Sequence, residues 1–185
     1  VAILLQCEGG RNLEITLESK TVYEGRIINL RLDSVVLENG NTAMREVVEH
    51  PGAVGIVALK ENGDIVMVKQ YRKAVEQVLL ELPAGKLEQG ENPLDCAARE
   101  LTEETGYTAG DLRYLVSFYT SPGFSNEIMH MFLATNLKEG KNDPDDDEMV
   151  ETVEISRDRA MDMILKGEIK DGKTIAGILL LGIVK

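Results

Sequence analysis

The sequence predicts a single mixed α/β domain that begins with an antiparallel β extension. Three observations support this fold class: alternating apolar residues up to residue 49, the almost wholly apolar segment Ala53–Leu59, and a helical segment with clear start and stop signals. At 185 residues and 43% hydrophobic content, the chain can bury one sizeable core. No repeat or linker interrupts the sequence, so we expect one structural unit. Within it we distinguish an N-terminal β region, residues 1–49, from a main domain, residues 50–185.

The N-terminal β region consists of short stretches in which apolar and polar residues alternate. Residues 13–17, 22–32 and 35–37 are the predicted strands, and the turn signal Glu-Asn-Gly-Asn follows at 38–41. Such a meander would leave one strand edge and one apolar face uncovered. We therefore expect a homodimer that forms through this region.

The main domain opens with a predicted hairpin of two buried strands. Ala53–Leu59 is joined through Glu-Asn-Gly-Asp at 61–64 to a second strand at 65–68. Further strands are predicted at residues 112–119, 128–134 and 150–155.

Three helices complete the prediction. The first is Pro93–Thr105, because Asn92 is a good N-cap, proline suits the first helical position, and Gly106 can adopt the left-handed C-terminal cap. The second runs to residue 166 from a cap at Ser156. The third covers the apolar residues 174–184.

Charge and cysteine content exclude several classes of protein. With 20 Lys and Arg against 32 Asp and Glu, the net charge is −12, which opposes phosphate neutralisation, so we expect no nucleic-acid partner. A small phosphate-bearing ligand is compatible if a cation stands between the charges. The chain lacks an apolar stretch of roughly 18 residues, so we expect no membrane span. Only two cysteines are present, Cys7 and Cys96, which fits a reducing, cytoplasmic setting.

Three glutamates lie one turn apart on the first helix: Glu100, Glu103 and Glu104. The apolar positions 94, 97, 98, 101 and 105 are expected to pack on the sheet, which leaves Glu100 and Glu104 facing outward at the edge of that face. Like charges at this spacing repel by a few tenths of a kcal/mol per pair. Arg99 can pair with Glu103, and a hard divalent cation, Mg²⁺ or Mn²⁺, would compensate the others. The alternative is a solvated acidic face without a metal.

The spacing of the whole segment from Gly85 to Tyr107 decides between these readings. It reads Gly, five residues, Glu, seven residues, then Arg-Glu-Leu-x-Glu-Glu-x-Gly-Tyr. This segment resembles the signature of the Nudix hydrolases, with Tyr107 as the one departure, since the family usually has an aliphatic residue there. The resemblance implies a Nudix-type α/β/α sandwich with a mixed sheet, and hydrolysis of a nucleoside diphosphate linked to another moiety by attack of water on phosphorus.

The same resemblance implies roles for individual residues. Glu100 and Glu104 would be core metal ligands, Glu103 an auxiliary ligand or a partner of the ligands, and the carbonyl of Ala84 a further ligand. Arg99 would orient the glutamates. Glu91 would support the geometry of the loop rather than bind metal.

Additional segments resemble the ADP-ribose pyrophosphatase branch of that family. Pro122 lies fifteen residues after Tyr107, and residues 45–53, 68–72 and 81–85 resemble the branch as well. This implies Mg²⁺-dependent hydrolysis of ADP-ribose, a small nucleotide sugar, to AMP and ribose 5-phosphate, by a homodimer that exchanges N-terminal strands. Arg45, Arg72 and Glu127 would bind substrate. For the two arginines, an exposed structural salt bridge is the alternative.

The acidic segment 143–151 is the expected source of the catalytic base. The branch places a glutamate-bearing loop there, and Glu148 matches it best, either as base or as a further metal ligand, with Asp146 as the second choice. The alternative is a solvated loop without a role.

Two other functions are compatible with the sequence. One is a Nudix diphosphatase for another nucleotide sugar or dinucleotide. The other is a module that senses ADP-ribose without cutting it, which is disfavoured because every carboxylate of the signature is present and no additional domain is evident.

Overall fold

The computed structural model describes residues 13–140 and 150–183. Backbone contacts divide these residues into two compact units. The first unit contains residues 13–50 and 121–126, and the second contains residues 51–120 and 127–183.

In its described part, the first unit is a three-stranded antiparallel sheet of β1 (Glu14–Glu24), β2 (Asn29–Leu37) and β3 (Thr42–Glu49), in that order. The predicted meander and the turn at 38–41 are confirmed. The predicted continuous strand 22–32 is wrong, because the chain reverses between β1 and β2. There Gly25 N donates to Ile28 O at 3.0 Å, and a Cβ at Gly25 would lie 2.8 Å from that same carbonyl oxygen. The tight turn therefore requires glycine.

Within the described ranges, the second unit contains a seven-stranded mixed sheet. Its strands are β4 (Ala53–Leu59), β5 (Asp64–Arg72), β6 (Gln77–Glu81), β7 (Ala84–Lys86), β8 (Tyr107–Tyr119), β9 (Ile128–Glu139) and β10 (Val150–Ser156). The main order is β10-β5-β4-β9-β8, with β6 beside β5 and β7 beside β4. β4 and β9 run parallel, and the other pairs are antiparallel. The β4–β5 hairpin and the strands near 112, 128 and 150 are confirmed.

The helices are α1 (Pro93–Thr105), α2 (Arg157–Leu165) and α3 (Gly172–Leu180). Both predicted ends of α1 are confirmed, since the Asn92 side chain accepts from Leu94 N and Gly106 has a φ of 74°. Ser156 caps α2 as expected. The prediction for α3 was displaced, because the Asp171 side chain caps the helix and starts it at Gly172. The predicted start at residue 174 was placed at the beginning of the apolar residues, which come after this cap.

Alternate residues of β4 face two separate apolar clusters, which shows that helices cover both faces of the sheet. Val54, Ile56 and Ala58 pack with α1, whereas Ala53 and Val57 pack with α2 and α3. The predicted α/β/α layering of the main domain is therefore confirmed.

The buried face of α1 differs from the predicted one at four positions. Leu94 and Ala98 are exposed, whereas Cys96 is fully buried beside Ala97. Glu104 was expected to face outward, but it is only 2% exposed. The helix is therefore rotated about its axis relative to the prediction. The carboxylate of Glu104, rather than the methyl group of Ala98, lies at the edge of the core.

Candidate active site

The short strand β7 brings the start of the signature against helix α1. β7 pairs with β4, where Gly55 is opposite Ala84. A Cβ at Gly85 would lie 1.9 Å from the carboxylate carbon of Glu100. Any side chain at position 85 would therefore displace that carboxylate from its position beside β7.

Arg99 is the centre of the carboxylate group that the sequence predicted. Its Nη1 donates to Glu100 Oε1 and to Glu103 Oε2, both at 2.8 Å, while Nε donates to Glu91 Oε1 at 3.0 Å and Nη2 to Glu91 Oε2 at 3.1 Å. We call Arg99, Glu91, Glu100 and Glu103 the Arg99 cluster. The predicted Arg99–Glu103 pair is confirmed. Hydrogen bonds to Glu91, and then the other carboxylates, raise the pKa of Arg99.

Glu91 fastens the loop before α1 to the helix. Besides its two bonds from Arg99, its Oε2 accepts from Glu88 N at 2.9 Å. The Arg99 guanidinium and this backbone donor lower the pKa of Glu91 to about 2, against the effect of partial burial. The Glu91 side chain thus links the backbone at residue 88 to Arg99 on the helix and holds the loop conformation.

Glu104 points to the backbone of β7. Its Oε2 accepts from Ala84 N at 3.0 Å, and the carbonyl of Glu104 accepts from Thr152 Oγ1 on β10 at 3.2 Å. The structure therefore brings the Glu104 carboxylate to Ala84, the residue whose carbonyl the family resemblance implied as a further ligand of the same metal.

The donor chemistry of this region fits a hard divalent cation. Glu100, Glu103 and Glu104 offer carboxylate oxygens, which Mg²⁺ and Mn²⁺ prefer, and Gly85 leaves the space that Glu100 occupies. Among the described residues, no group of three or more acidic, histidine or cysteine side chains is already arranged to coordinate a metal ion. Since Arg99 and the Ala84 amide hold these carboxylates, a bound cation would have to share them with these partners.

A second group of charges surrounds Arg72, at the end of β5. Its Nε and Nη2 donate to the two oxygens of Glu81, both at 2.9 Å. Lys173 on α3 also donates to Glu81 Oε2 and lies 3.0 Å from Asp171 Oδ2. We call Arg72, Glu81, Asp171 and Lys173 the Lys173 cluster. Sequence reasoning named only Arg72, although a glutamate inside the apolar run at residues 79–83 signals a buried partner.

The remaining predicted site residues lie in different places. Arg45 belongs to the first unit, where it forms an exposed ion pair with Glu14 that raises the pKa of Arg45. Glu127 belongs to the second unit, and its Oε2 accepts from Thr120 Oγ1 at 2.5 Å. Glu148 and Asp146 lie outside the described residues.

Tyr107, the departure from the signature, joins several charged groups. Its side-chain oxygen lies 2.7 Å from Glu154 Oε1, 3.1 Å from Glu139 Oε1 and 3.1 Å from Lys60 Nζ. Burial, followed by the bond to Glu154, raises the pKa of Tyr107. The hydroxyl thus lies among charged groups just after β4, at the end of β9 and on β10.

No helix in the described ranges is long and apolar enough to cross a membrane. Cys96 is a free, buried thiol, and burial together with the neighbouring Glu91 raises the pKa of Cys96 to about 12. Such a thiol is chemically inert at neutral pH.

Comparisons with known proteins agree with this geometry. The NUDIX domain family matches residues 41–177, and the nucleoside diphosphate sugar hydrolase N-terminal domain matches residues 14–48. The chain is 46% identical over 167 residues to an ADP-ribose pyrophosphatase of Bacillus subtilis (strain 168), and 44% identical over 167 residues to a methanol dehydrogenase activator of Bacillus methanolicus. Both alignments cover 89% of this chain and 90% of the relative.

A solved structure extends the comparison to three dimensions. The crystal structure of an ADP compounds hydrolase superimposes with a TM-score of 0.82 at 22% identity, covering 92% of each chain, and therefore shares the fold. With the signature arranged around Arg99, and with a family match that spans most of its length, the chain belongs to the Nudix hydrolase family.

Proposed function

We propose that this protein hydrolyses the diphosphate bond of ADP-ribose and releases AMP and ribose 5-phosphate. The observation that carries the proposal is the intact carboxylate set of the signature, held by Arg99 and by the Ala84 amide. The substrate class is supported by the 46% identity, over 89% of the chain, to a relative named ADP-ribose pyrophosphatase.

Glu100 and Glu104, with Glu103 and the Ala84 carbonyl, would hold the metal, Mg²⁺ or Mn²⁺. A bound divalent ion supplies charge neutralisation on the diphosphate and lowers the pKa of a bound water. Arg99 keeps Glu100 and Glu103 in position, and Glu91 keeps the loop before α1 in position. Arg72 and Arg45 would each contact the diphosphate or a ribose, for which a guanidinium group is suited, and Glu127 would accept hydrogen bonds from the hydroxyls of the terminal ribose.

The catalytic base stays a prediction, because Glu148 and Asp146 lie outside the described residues. If Glu148 is the base, Glu148→Gln lowers kcat by roughly 10² to 10⁴ with little change in KM. If Glu148→Gln and Asp146→Asn each keep kcat within about threefold, the base lies elsewhere.

We also propose that residues 1–49 mediate a homodimer. Every residue of β1 is exposed, and Leu13, Ile15 and Leu17 each expose more than half of their surface. A long exposed edge strand with apolar side chains is a template for pairing with another chain. Light scattering should give twice the mass of 20.4 kDa, and Leu17→Lys should weaken the dimer. A fully active monomer at micromolar concentration would contradict this part of the proposal.

A cytoplasmic location is part of the same proposal, since Cys96 is a free thiol in the core. Retention of the native protein in the cytoplasmic fraction of its own cells would test it. Recovery in the secreted or membrane fraction would contradict it.

The deciding experiment is a substrate panel with product analysis by ion-exchange chromatography. ADP-ribose should give the highest kcat/KM, with AMP and ribose 5-phosphate in equal amounts, and Glu104→Gln should serve as the inactive control. Highest turnover on another nucleotide sugar would favour the second candidate, which the match of residues 14–48 to nucleoside diphosphate sugar hydrolases supports. Binding of ADP-ribose without turnover of any compound would indicate a sensing module.

A further inference from the structure

The Lys173 cluster is a balanced set of two positive and two negative side chains, most of it withdrawn from solvent. The side chain of Glu81 is 1% exposed and that of Lys173 is 10% exposed. A carboxylate in such a place is costly unless it is paired and hydrogen-bonded. Burial alone would raise the pKa of Glu81, but Arg72 and Lys173 outweigh it and hold the pKa below its ordinary value.

Arg72 is the member of the cluster that reaches solvent, with 40% of its side chain exposed. Glu81 engages its Nε and Nη2. The third nitrogen, Nη1, donates to no residue in the ranges 13–140 and 150–183. The charge of Glu104, on α1, contributes to raising the pKa of Arg72 after the bonds to Glu81, so this guanidinium lies within electrostatic reach of the candidate metal ligands.

Helix α3 fixes the position of Lys173. Asp171 caps the helix by accepting from Thr174 N at 3.0 Å and from Thr174 Oγ1 at 2.6 Å. Thr174 Oγ1 in turn accepts from Leu82 N at 2.8 Å, next to Glu81. The helix also packs tightly there, since a Cβ at Gly177 would lie 2.5 Å from a Leu82 methyl group. The helix start is thus tied to the segment that leads into β7.

We propose that Lys173 is a positioning residue for diphosphate binding, which acts on Arg72 through the shared carboxylate of Glu81. This inference rests on the proposed function and names a residue of that site. Lys173 and Arg72 both donate to Glu81 Oε2, so Lys173 restricts the rotation of that carboxylate and neutralises part of its charge. The carboxylate then holds the guanidinium in one orientation, and Arg72 keeps positive potential for a dianionic substrate.

Lys173→Met, which keeps the length of the side chain without its charge, tests the proposal in the full-length enzyme. We expect KM for ADP-ribose to rise about tenfold, within the range of coupling between residues of one hydrogen-bonded network, while kcat stays within about threefold. Lys173→Arg should restore KM. Lys166→Met is the matched control, because Lys166 forms an exposed ion pair with Asp162 at 2.7 Å and should leave KM unchanged.

A double-mutant cycle separates positioning from a merely structural role. If Lys173 acts through Arg72, Lys173→Met should add less than about twofold to KM once Arg72→Gln is present. An unchanged KM in Lys173→Met, or the same fold increase with and without Arg72→Gln, would overturn the proposal. Should Lys173→Met fail to fold, Lys173→Gln takes its place, since it retains a hydrogen-bond donor for Glu81.

The test remains informative if ADP-ribose is not the substrate. The same variants are then compared on whichever nucleoside diphosphate sugar the wild type cleaves, and the expected pattern in KM is identical. If the wild type cleaves none, the dissociation constant of ADP, measured by calorimetry, replaces KM. Equal ADP affinity in the wild type and Lys173→Met would overturn the positioning role independently of the proposed function.

Discussion

The Arg99 cluster and the Lys173 cluster are both organised around an arginine, but their charges differ. In the Arg99 cluster one guanidinium faces three carboxylates, and Glu104 adds a fourth carboxylate nearby. In the Lys173 cluster two cations face two carboxylates. We propose that carboxylate oxygens in excess take up a divalent cation where they can converge on one point, whereas a balanced set of charges needs none. On this proposal, charge balance together with the convergence of oxygens distinguishes the candidate metal site from a group that holds a side chain in place.

The largest expected effect comes from removing a carboxylate of the surplus. Glu104→Gln should lower kcat by more than about 100-fold. Losing a residue that only supports a metal ligand costs up to about 100-fold, and loss of a ligand itself should cost more. The fold should persist, because the amide oxygen of glutamine can still accept from Ala84 N. The measurement is kcat beside a thermal unfolding curve.

Wild-type activity in excess chelator is the companion measurement for this variant. Activity should vanish when the divalent ions are removed and return when Mg²⁺ is added. Retained turnover in Glu104→Gln, or full activity of the wild type in chelator, would contradict the metal assignment.

Metal binding should also stabilise the fold, since a ligand that binds only the native state shifts the unfolding equilibrium. At Mg²⁺ near 100 times its dissociation constant, the gain is about 2.7 kcal/mol, which corresponds to a rise of roughly 5–10 °C in Tm for a chain of this size. Glu100→Gln should lose most of the rise, whereas Lys173→Met should keep it. NaCl at equal ionic strength is the control. An equal shift in all three proteins would remove the distinction between the clusters.

Glu91 offers a test within the Arg99 cluster that concerns stability alone. Glu91→Gln should lower the free energy of unfolding at pH 7 by about 2 kcal/mol, as expected for hydrogen bonds to a charged group. Because the folded pKa of Glu91, about 2, lies below the ordinary value of 4.5, its contribution is complete above pH 4.5 and is lost as the pH falls toward 2.

Denaturant unfolding at several pH values would measure this effect. The difference in unfolding free energy between the wild type and Glu91→Gln should shrink as the pH falls from 4.5 to 2. A difference that stays constant over this range would mean that the Glu91 carboxylate does not stabilise the folded loop.

The two clusters also differ in how far the sequence could predict them. The Arg99–Glu103 pair and both ends of α1 depend on residues within one or two helical turns, so spacing and capping rules were sufficient. Lys173 and Glu81 are 92 positions apart and meet only because α3 packs on the sheet at Leu82. No local pattern encodes such a contact.

Other errors have the same origin. Glu104 was expected to face solvent because helical periodicity cannot reveal the Ala84 amide that receives its carboxylate. The strands β6 and β7 were not predicted, since they have only five and three residues and flank a proline at position 83. Their place in the sheet is set by pairing with β5 and β4.

The smallest expected effect concerns Tyr107, where the chain departs from the family signature. Its hydroxyl joins Lys60 to Glu139 and Glu154, so this third group also has a surplus of negative charge, one carboxylate in excess. Here, however, the hydroxyl and the ammonium lie next to the carboxylates, and Oε1 of both Glu139 and Glu154 is engaged by them. Tyr107→Phe should therefore cost about 1 kcal/mol of stability, the usual net value of such a bond, and leave kcat and KM unchanged. The rise in Tm with Mg²⁺ should also equal that of the wild type, because surplus charge creates a metal site only where oxygens can converge on a common point. A larger Mg²⁺ effect in Tyr107→Phe would show that the freed carboxylates bind the ion, and charge surplus alone would then be sufficient.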